Sequence, residues 1–357
     1  MNIQTGSLNN SKKRLSVPGI VAPCLLLVLL VIPCGEALAG GTHTTIPVEP
    51  SASEPGDEIF TSEVVSRIGR FRSPTRILLD DDGVLYVSDT GRGLVALYDQ
   101  DGVRVGTLAG VHHPIGVAIL ETRVPAPGKD LKKKKKRKRS RAKLKKYIDK
   151  TYIYVADEAD GSVKIFDDGE LIGHLGDGPV EFARPNGVAA INDLVYVVDS
   201  DEDRVAIYDK DGAFLYQFGT TGAGDGQFDF PTDIAIDTYT EEIYVGDLRN
   251  KRVQVFDLHG NWLRTIYPPL NDGGDPIFIN PAGLGIDPLG NIYVVDNALC
   301  CVAVLDPFGV LLDVYGYQNG AYWTGELQLP IDAASDGLKV FVTSGGEGHV
   351  NVFEVTP

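Results

Sequence analysis

One spacing recurs six times along this 357-residue chain and constrains its fold more than any other feature. An aromatic–Val pair begins at Tyr86, Tyr154, Tyr196, Tyr244, Tyr293 and Phe341, and 13 residues after each aromatic stands an acidic residue: Asp99, Asp167, Asp209, Asp257, Asp306 and Glu354. A proline opens each unit, at Pro74, Pro114, Pro185, Pro231, Pro281 and Pro330. Within the units the apolar runs are short, β-branched and alternating, and they are bounded by Gly, Asp and Asn, as strands joined by tight turns require. The 41 Gly and 21 Pro fit that many turns, and an all-helical fold is excluded. Repeats near 45 residues with four short strands each are the size of a propeller blade.

The two ends of the repeat region complement each other. The sixth unit stops at Val352-Phe353-Glu354-Val355 and lacks the outer strand that follows the other five, while a spare run, Glu63 to Gly69, precedes the first. The spare run completes the last blade and leaves no open sheet edge. The expected fold is therefore all-β: a six-bladed β-propeller of four-stranded antiparallel blades, closed by an N-terminal strand and occupying residues 58–357.

The fourth unit, Phe230-Pro231-Thr232-Asp233-Ile234-Ala235-Ile236-Asp237 through Tyr244-Val245-Gly246-Asp247 to Arg252-Val253-Gln254-Val255-Phe256-Asp257, resembles the NHL repeat, as does the loop Gly222 to Phe228 before it. The third and fifth units match well and the others are degenerate. The resemblance implies the propeller and leaves function open, since this ring hosts binding platforms, lyases and lactonases alike. It also implies weakly a context of surface or multihaem electron-transfer assemblies.

The N-terminus reads as an export signal over residues 1–39. Lys12, Lys13 and Arg14 precede an apolar core from Leu25 to Ile32, and Ala37-Leu38-Ala39 offers a small-x-small cleavage site. Lipid attachment through Cys34 is the minor alternative. The expected location is periplasmic, outer-surface or extracellular. Residues 40–57 read as a flexible leader. After cleavage only Cys300 and Cys301 remain, which rules out a disulfide-stapled scaffold. The adjacent pair is expected to close into a vicinal disulfide, with free thiols or a bridge to a partner as the competing states.

The net charge of −16 conceals two opposed regions. Residues 121–151 hold fifteen Lys/Arg against three acids, so that segment carries +12 and the rest of the chain −28. An acidic body excludes general nucleic-acid binding. The basic insertion falls between the first and second strands of the second blade. Its candidate anion-binding residues are Lys132, Lys133, Lys134, Lys135, Lys136, Arg137, Lys138, Arg139 and Arg141. They offer either a solvated hairpin extension or a clamp for an anionic polymer or acidic protein.

Five residues beyond the aromatic-Val-x-Asp motif, NHL repeats usually carry an Arg that pairs with carboxylates; here Arg204 and Arg252 keep it. With Arg92 and Arg249 they form either structural ion pairs or a partner-binding rim. The loop at 316–329 adds Tyr317, Tyr322 and Trp323 to that rim as interface anchors. No catalytic residue, metal site or cofactor is expected: His112, His113 and His349 lack metal-ligand spacing, the Gly222–Gly226 loop lacks the helix and Lys of a phosphate cradle, and Asp237 and Asp287 read as turn formers. The leading expectation is an exported, non-catalytic scaffold for a protein partner. A metal-dependent lyase or lactonase-like enzyme and a binder of anionic surface polymers are the alternatives.

Overall fold

The computed structural model describes residues 64–125, 147–176, 180–271, 273–316 and 327–355. The signal, the leader, the tip of the basic insertion, and Tyr317, Tyr322 and Trp323 lie outside the described residues. Strand β1 (Val64–Ile68) precedes six consecutive units. Blade 1 is β2 (Pro74–Leu79), β3 (Val84–Asp89), β4 (Leu94–Asp99) and β5 (Arg104–Leu108). Blade 2 is β6 (Pro114–Pro125), β7 (Tyr147–Asp157), β8 (Ser162–Asp167) and β9 (Glu170–Leu175). Blade 3 is β10 (Pro185–Ile191), β11 (Leu194–Asp199), β12 (Arg204–Asp209) and β13 (Phe214–Phe218). Blade 4 is β14 (Pro231–Asp237), β15 (Glu242–Asp247), β16 (Arg252–Asp257) and β17 (Trp262–Ile266). Blade 5 is β18 (Pro281–Ile286), β19 (Ile292–Asp296), β20 (Cys301–Leu305) and β21 (Leu311–Tyr315). Blade 6 holds β22 (Pro330–Ser335), β23 (Lys339–Ser344) and β24 (His349–Glu354), and β1 supplies its fourth strand.

Closure is by backbone pairing of β1 with β24, from Val64 opposite Phe353 to Ile68 opposite Val350. Each sheet is a meander of neighbouring strands, so all first and third turns of the blades share one face of the ring. The second turns and interblade loops share the other. Among the described residues no helix is long and apolar enough to cross a membrane.

The 13-residue spacing now has a physical reading. The aromatic sits inside the second strand, and the acidic residue ends the third, where its carboxylate accepts backbone N–H bonds across the following turn. Asp99 accepts from Asp101 and Val103, Asp209 from Asp211 and Ala213, Asp257 from His259 and Asn261, and Asp306 from Phe308 and Val310. A glycine in the left-handed region completes each of these turns, as at Gly212 and Gly260.

The aromatics fill the seams between blades. Tyr154, Tyr196, Tyr244, Tyr293 and Phe341 are buried, each worth about 1.5–3 kcal/mol of apolar burial. The hydroxyls of Tyr154 and Tyr196 donate to Lys210 O and Leu258 O on the next blade, both at 2.9 Å. Burial pushes these phenols above their ordinary range. The buried apolar residues form clusters straddling all six blade junctions, including the junction of blades 6 and 1, where Ala334, Phe341 and Val350 meet Ile77, Leu85 and Val87.

Candidate functional site

Two faces and a channel are the places where a ring like this can act. On the face of second turns, the acidic residue closing each second strand is buried and fastens the loop that enters its own blade. Asp89 accepts the Arg72 and Ser73 N–H groups, Asp157 those of His112 and His113, Asp199 those of Ala183 and Arg184, and Asp296 those of Ile279 and Asn280. Ser344 takes the place in blade 6, donating its hydroxyl to Gln328 O.

Three of the four rim arginines belong to these latches. Arg204 pairs with Asp199 at 2.9 Å and Arg92 with Asp89 at 2.7 Å. Arg252 is only 3% exposed, pairs with Asp247 at 2.8 Å, and donates to Gly224 O and Gln227 O, which fixes the glycine-rich loop as an interblade turn. Arg249 is half exposed, stacks over Phe230 and lies 3.3 Å from Asp229. The four are thus spread over blades 1, 3 and 4 in structural pairs.

The histidines near this face are spent in the same way. His113 Nδ1 lies 2.8 Å from Glu158, which raises the imidazole and lowers the carboxyl from their ordinary values. His112, Asp157 and Asp160 bring potential metal-ligand atoms within 4.8 Å of one another. Asp157 is already occupied by two backbone N–H groups and Asp160 by Lys164 at 2.6 Å, so the cluster carries its own cation.

The vicinal disulfide expected between Cys300 and Cys301 is not formed. Cys301 is a free thiol, 1% exposed, with Sγ packed inward 3.6 Å from Ile277 O. Cys300 holds φ 55° at the end of the preceding turn, with its Sγ 3.8 Å from Asn297 O. Burial pushes the Cys301 thiol far up, away from the reactive thiolate.

The channel holds what sequence reading missed. The second residue after each opening proline is Arg76, Gly116, Gly187, Asp233, Gly283 and Asp332. Every inner strand has a register shift at this point, as between Pro74 and Ile77, Pro231 and Ile234, and Pro330 and Asp332. A bulge of this kind re-aims a side chain out of simple alternation. The three glycines make room: a Cβ on Gly187 would come within 2.7 Å of Asp233 Oδ1, and one on Gly283 within 2.6 Å of Asp332 Oδ1.

Into that room the three charged residues converge, all buried. Arg76 reaches across the ring to Thr232 O at 2.9 Å, to Ile331 O and Asn186 Oδ1 at 3.3 Å, and to Asp233 Oδ1 at 3.4 Å. Asp233 accepts Leu284 N–H at 2.8 Å and Asp332 accepts Ile77 N–H at 2.9 Å. Burial raises both carboxyls, Asp332 well above the ordinary range because Asp233 adds a second negative charge. Asp332 Oδ1 is buried and meets no hydrogen-bond partner. The constriction thus sets one guanidinium against two carboxyl groups whose ionisation burial opposes.

Below the constriction the channel widens into a cavity of about 340 Å³ lined by all six inner strands and opening on the face of first turns. On that same face, β6 and β7 pair for five residues past Leu120–Tyr152, to Pro125–Tyr147. The paired stem of the basic insertion thus runs about 17 Å past Leu120–Tyr152 at the usual strand rise. The turn tips of blades 4, 5 and 6 expose Tyr239 (93%), Leu289 (76%), Phe308 (80%) and Leu338 (74%). Asp237 and Asp287 form the first two of these turns, accepting Tyr239 N–H and Leu289 N–H.

Comparison with known proteins agrees on the architecture. Residues 184–272 match the sequence profile of a 6-bladed beta-propeller family. The chain is a six-bladed β-propeller. No curated protein matches its sequence. Among solved structures it is similar to a gluconolactonase of Xanthomonas campestris (14% identity, TM-score 0.57, covering 87% of this chain and 99% of that one). It is also similar to Kuenenia stuttgartiensis hydrazine synthase (13%, 0.52, 85% and 99%) and to virginiamycin B lyase from Staphylococcus aureus (10%, 0.50, 80% and 85%). At these identities the likeness is one of fold.

Proposed function

We propose that this propeller is an exported, non-catalytic scaffold of the NHL kind that holds a protein partner on its face of first turns, within an envelope or extracellular assembly. The observation that carries the reading is the apolar quartet Tyr239, Leu289, Phe308 and Leu338, which protrudes on one face from three consecutive blades. Exposed large apolar side chains grouped on one surface are the anchors of protein interfaces. The basic insertion rises from the same face, so the partner is one with an apolar centre and an acidic margin. Of the rim expected from sequence, Arg92, Arg204 and Arg252 pair with latch carboxylates and Arg249 with Asp229, so the reading does not rest on them. An enzyme of the lactonase or lyase type would hold its reactive groups in or near the channel. Here the constriction is filled by the Arg76 guanidinium, already paired with the carboxyl groups around it.

The test is quantitative affinity capture from the native envelope with the parent and a Tyr239→Ser/Leu289→Ser/Leu338→Ser variant. The triple variant is expected to keep its melting temperature and lose the saturable partner. Equal capture by both proteins overturns the reading, and stoichiometric metal in the purified parent transfers the case to the enzyme. The insertion favours a second reading, an anionic polymer bound through Lys132 to Arg141, and salt-sensitive retention on heparin checks it.

A further inference from the structure

The channel cavity is not accounted for by a docking face. It is a chamber with three distinct zones. Its inner end is the Asp233–Asp332 pair with Arg76. Its wall is aliphatic, including Leu79, Ile119, Ile234, Ile236 and Ile286, and its mouth carries Asp80, Asp81 and Glu121. We infer that the cavity binds a small organic cation with an apolar body, its ammonium seated on the Asp233–Asp332 pair and its carbon skeleton against the aliphatic wall.

Charge selects the ligand class. The cavity lining contains five carboxyl groups and a single cation, Arg76, whose terminal nitrogens are engaged by Ile331 O, Asn186 Oδ1 and Thr232 O. An anion entering past Asp80, Asp81 and Glu121 meets repulsion and then an arginine with no free fork. A cation meets attraction at the mouth and, at the inner end, Asp332 Oδ1, a buried oxygen without an N–H donor. The volume, about 340 Å³, lies at the small end of ligand pockets and suits a body of roughly five to ten heavy atoms.

The seat is made by exchange. The two carboxyls hold a proton more readily than ordinary ones, and an ammonium N–H set against them favours their ionised form, so one proton is expected to leave to solvent for each cation bound. The charged groups facing the pair are Arg76, Asp80 and Asp81 from β2 and its turn and Glu121 from β6; β10 and β18 contribute none to the lining. Exchange of one proton for one ammonium leaves the net charge of the inner end unchanged, so it adds no net buried charge.

The experiment is isothermal titration of the full chain at pH 8 with 2-phenylethylammonium, cyclohexylammonium and n-butylammonium, and with 3-phenylpropionate as the anionic counterpart. At least one ammonium is expected to bind at one site per chain, releasing one proton as judged from two buffers of different ionisation heat, while the carboxylate shows no saturation. Asp332→Asn is expected to weaken binding about ten-fold, the scale of one charge-assisted hydrogen bond. Ala235→Leu, which fills the wall without touching the pair, is expected to abolish it and guards against misfolding of the first variant. The inference is overturned if none of the three ammonium ions saturates, if 3-phenylpropionate binds as tightly, or if both variants bind like the parent.

Discussion

Replacing Arg76 with Met tests the electrostatics of the channel. The guanidinium offsets Asp233 and satisfies three acceptors on blades 3, 4 and 6. Removing one partner of a buried ion pair costs about 3–5 kcal/mol. For a domain of this size each kcal/mol moves the melting temperature by roughly 2–4 °C, so the loss is on the order of 10 °C at neutral pH. The loss depends on pH with a definite sign. Burial already raises the Asp233 carboxyl, and without Arg76 it rises further. An acid raised in the folded state binds more protons folded than unfolded, so its contribution to stability falls as pH rises from the unfolded value towards the folded one. The deficit of Arg76→Met is therefore small near pH 4.5 and widens towards pH 8, by at most about 1.4 kcal/mol per pH unit for each acid. Urea unfolding at both pH values measures it. Adding Asp233→Asn and Asp332→Asn should recover most of the loss at pH 8. A deficit equal at the two pH values, or no deficit, refutes the reasoning.

Deleting residues 1–75 removes β1 and the start of β2 and should cause aggregation, whereas deletion to residue 57 should leave the melting temperature unchanged; equal behaviour of the two proteins contradicts closure by β1. The half-exposed His113–Glu158 pair contributes only a few tenths of a kcal/mol, and it is fully present between the unfolded values of 4.5 and 6.5. It is lost as pH falls through the lowered Glu158 value or rises through the raised His113 value; Glu158→Gln should bring the His113 titration, followed by NMR, down towards its ordinary range, and an unmoved titration contradicts the pairing. Cys301 should resist alkylation in the native protein and label fully in 6 M guanidinium, about the concentration that unfolds even very stable domains; rapid native labelling contradicts its burial.

The ring was legible because its signals are local and repeated. The 13-residue spacing records one hairpin with its turn-forming acid, and the short sixth unit and the spare Glu63–Gly69 run are both visible in a linear reading. The channel triad was hidden for a physical reason. Strand alternation predicts which face a side chain takes, but the bulge after each opening proline breaks that alternation at Arg76, Asp233 and Asp332. Stacking the six units by their prolines would have exposed the pattern of three charges and three glycines at one position. The rim arginines show the opposite difficulty. Their spacing from the Asp was plain, yet whether an Arg folds back on its own latch or faces solvent depends on a loop whose path is set by the neighbouring strands. For Cys300 and Cys301, adjacency in sequence suggested a bond, whereas the Cys301 thiol packs into the buried core, which adjacency does not report.

The central claim is that partners meet the face of first turns and not the face of latches. Site-specific photo-crosslinking in the native envelope measures this directly, with the crosslinker placed in turn at Leu289 on the first face and at Asp201, in the second turn of blade 3, on the other. The account predicts a discrete adduct from position 289 that the Tyr239→Ser/Leu338→Ser background abolishes, and none from position 201. An adduct confined to position 201 would contradict it.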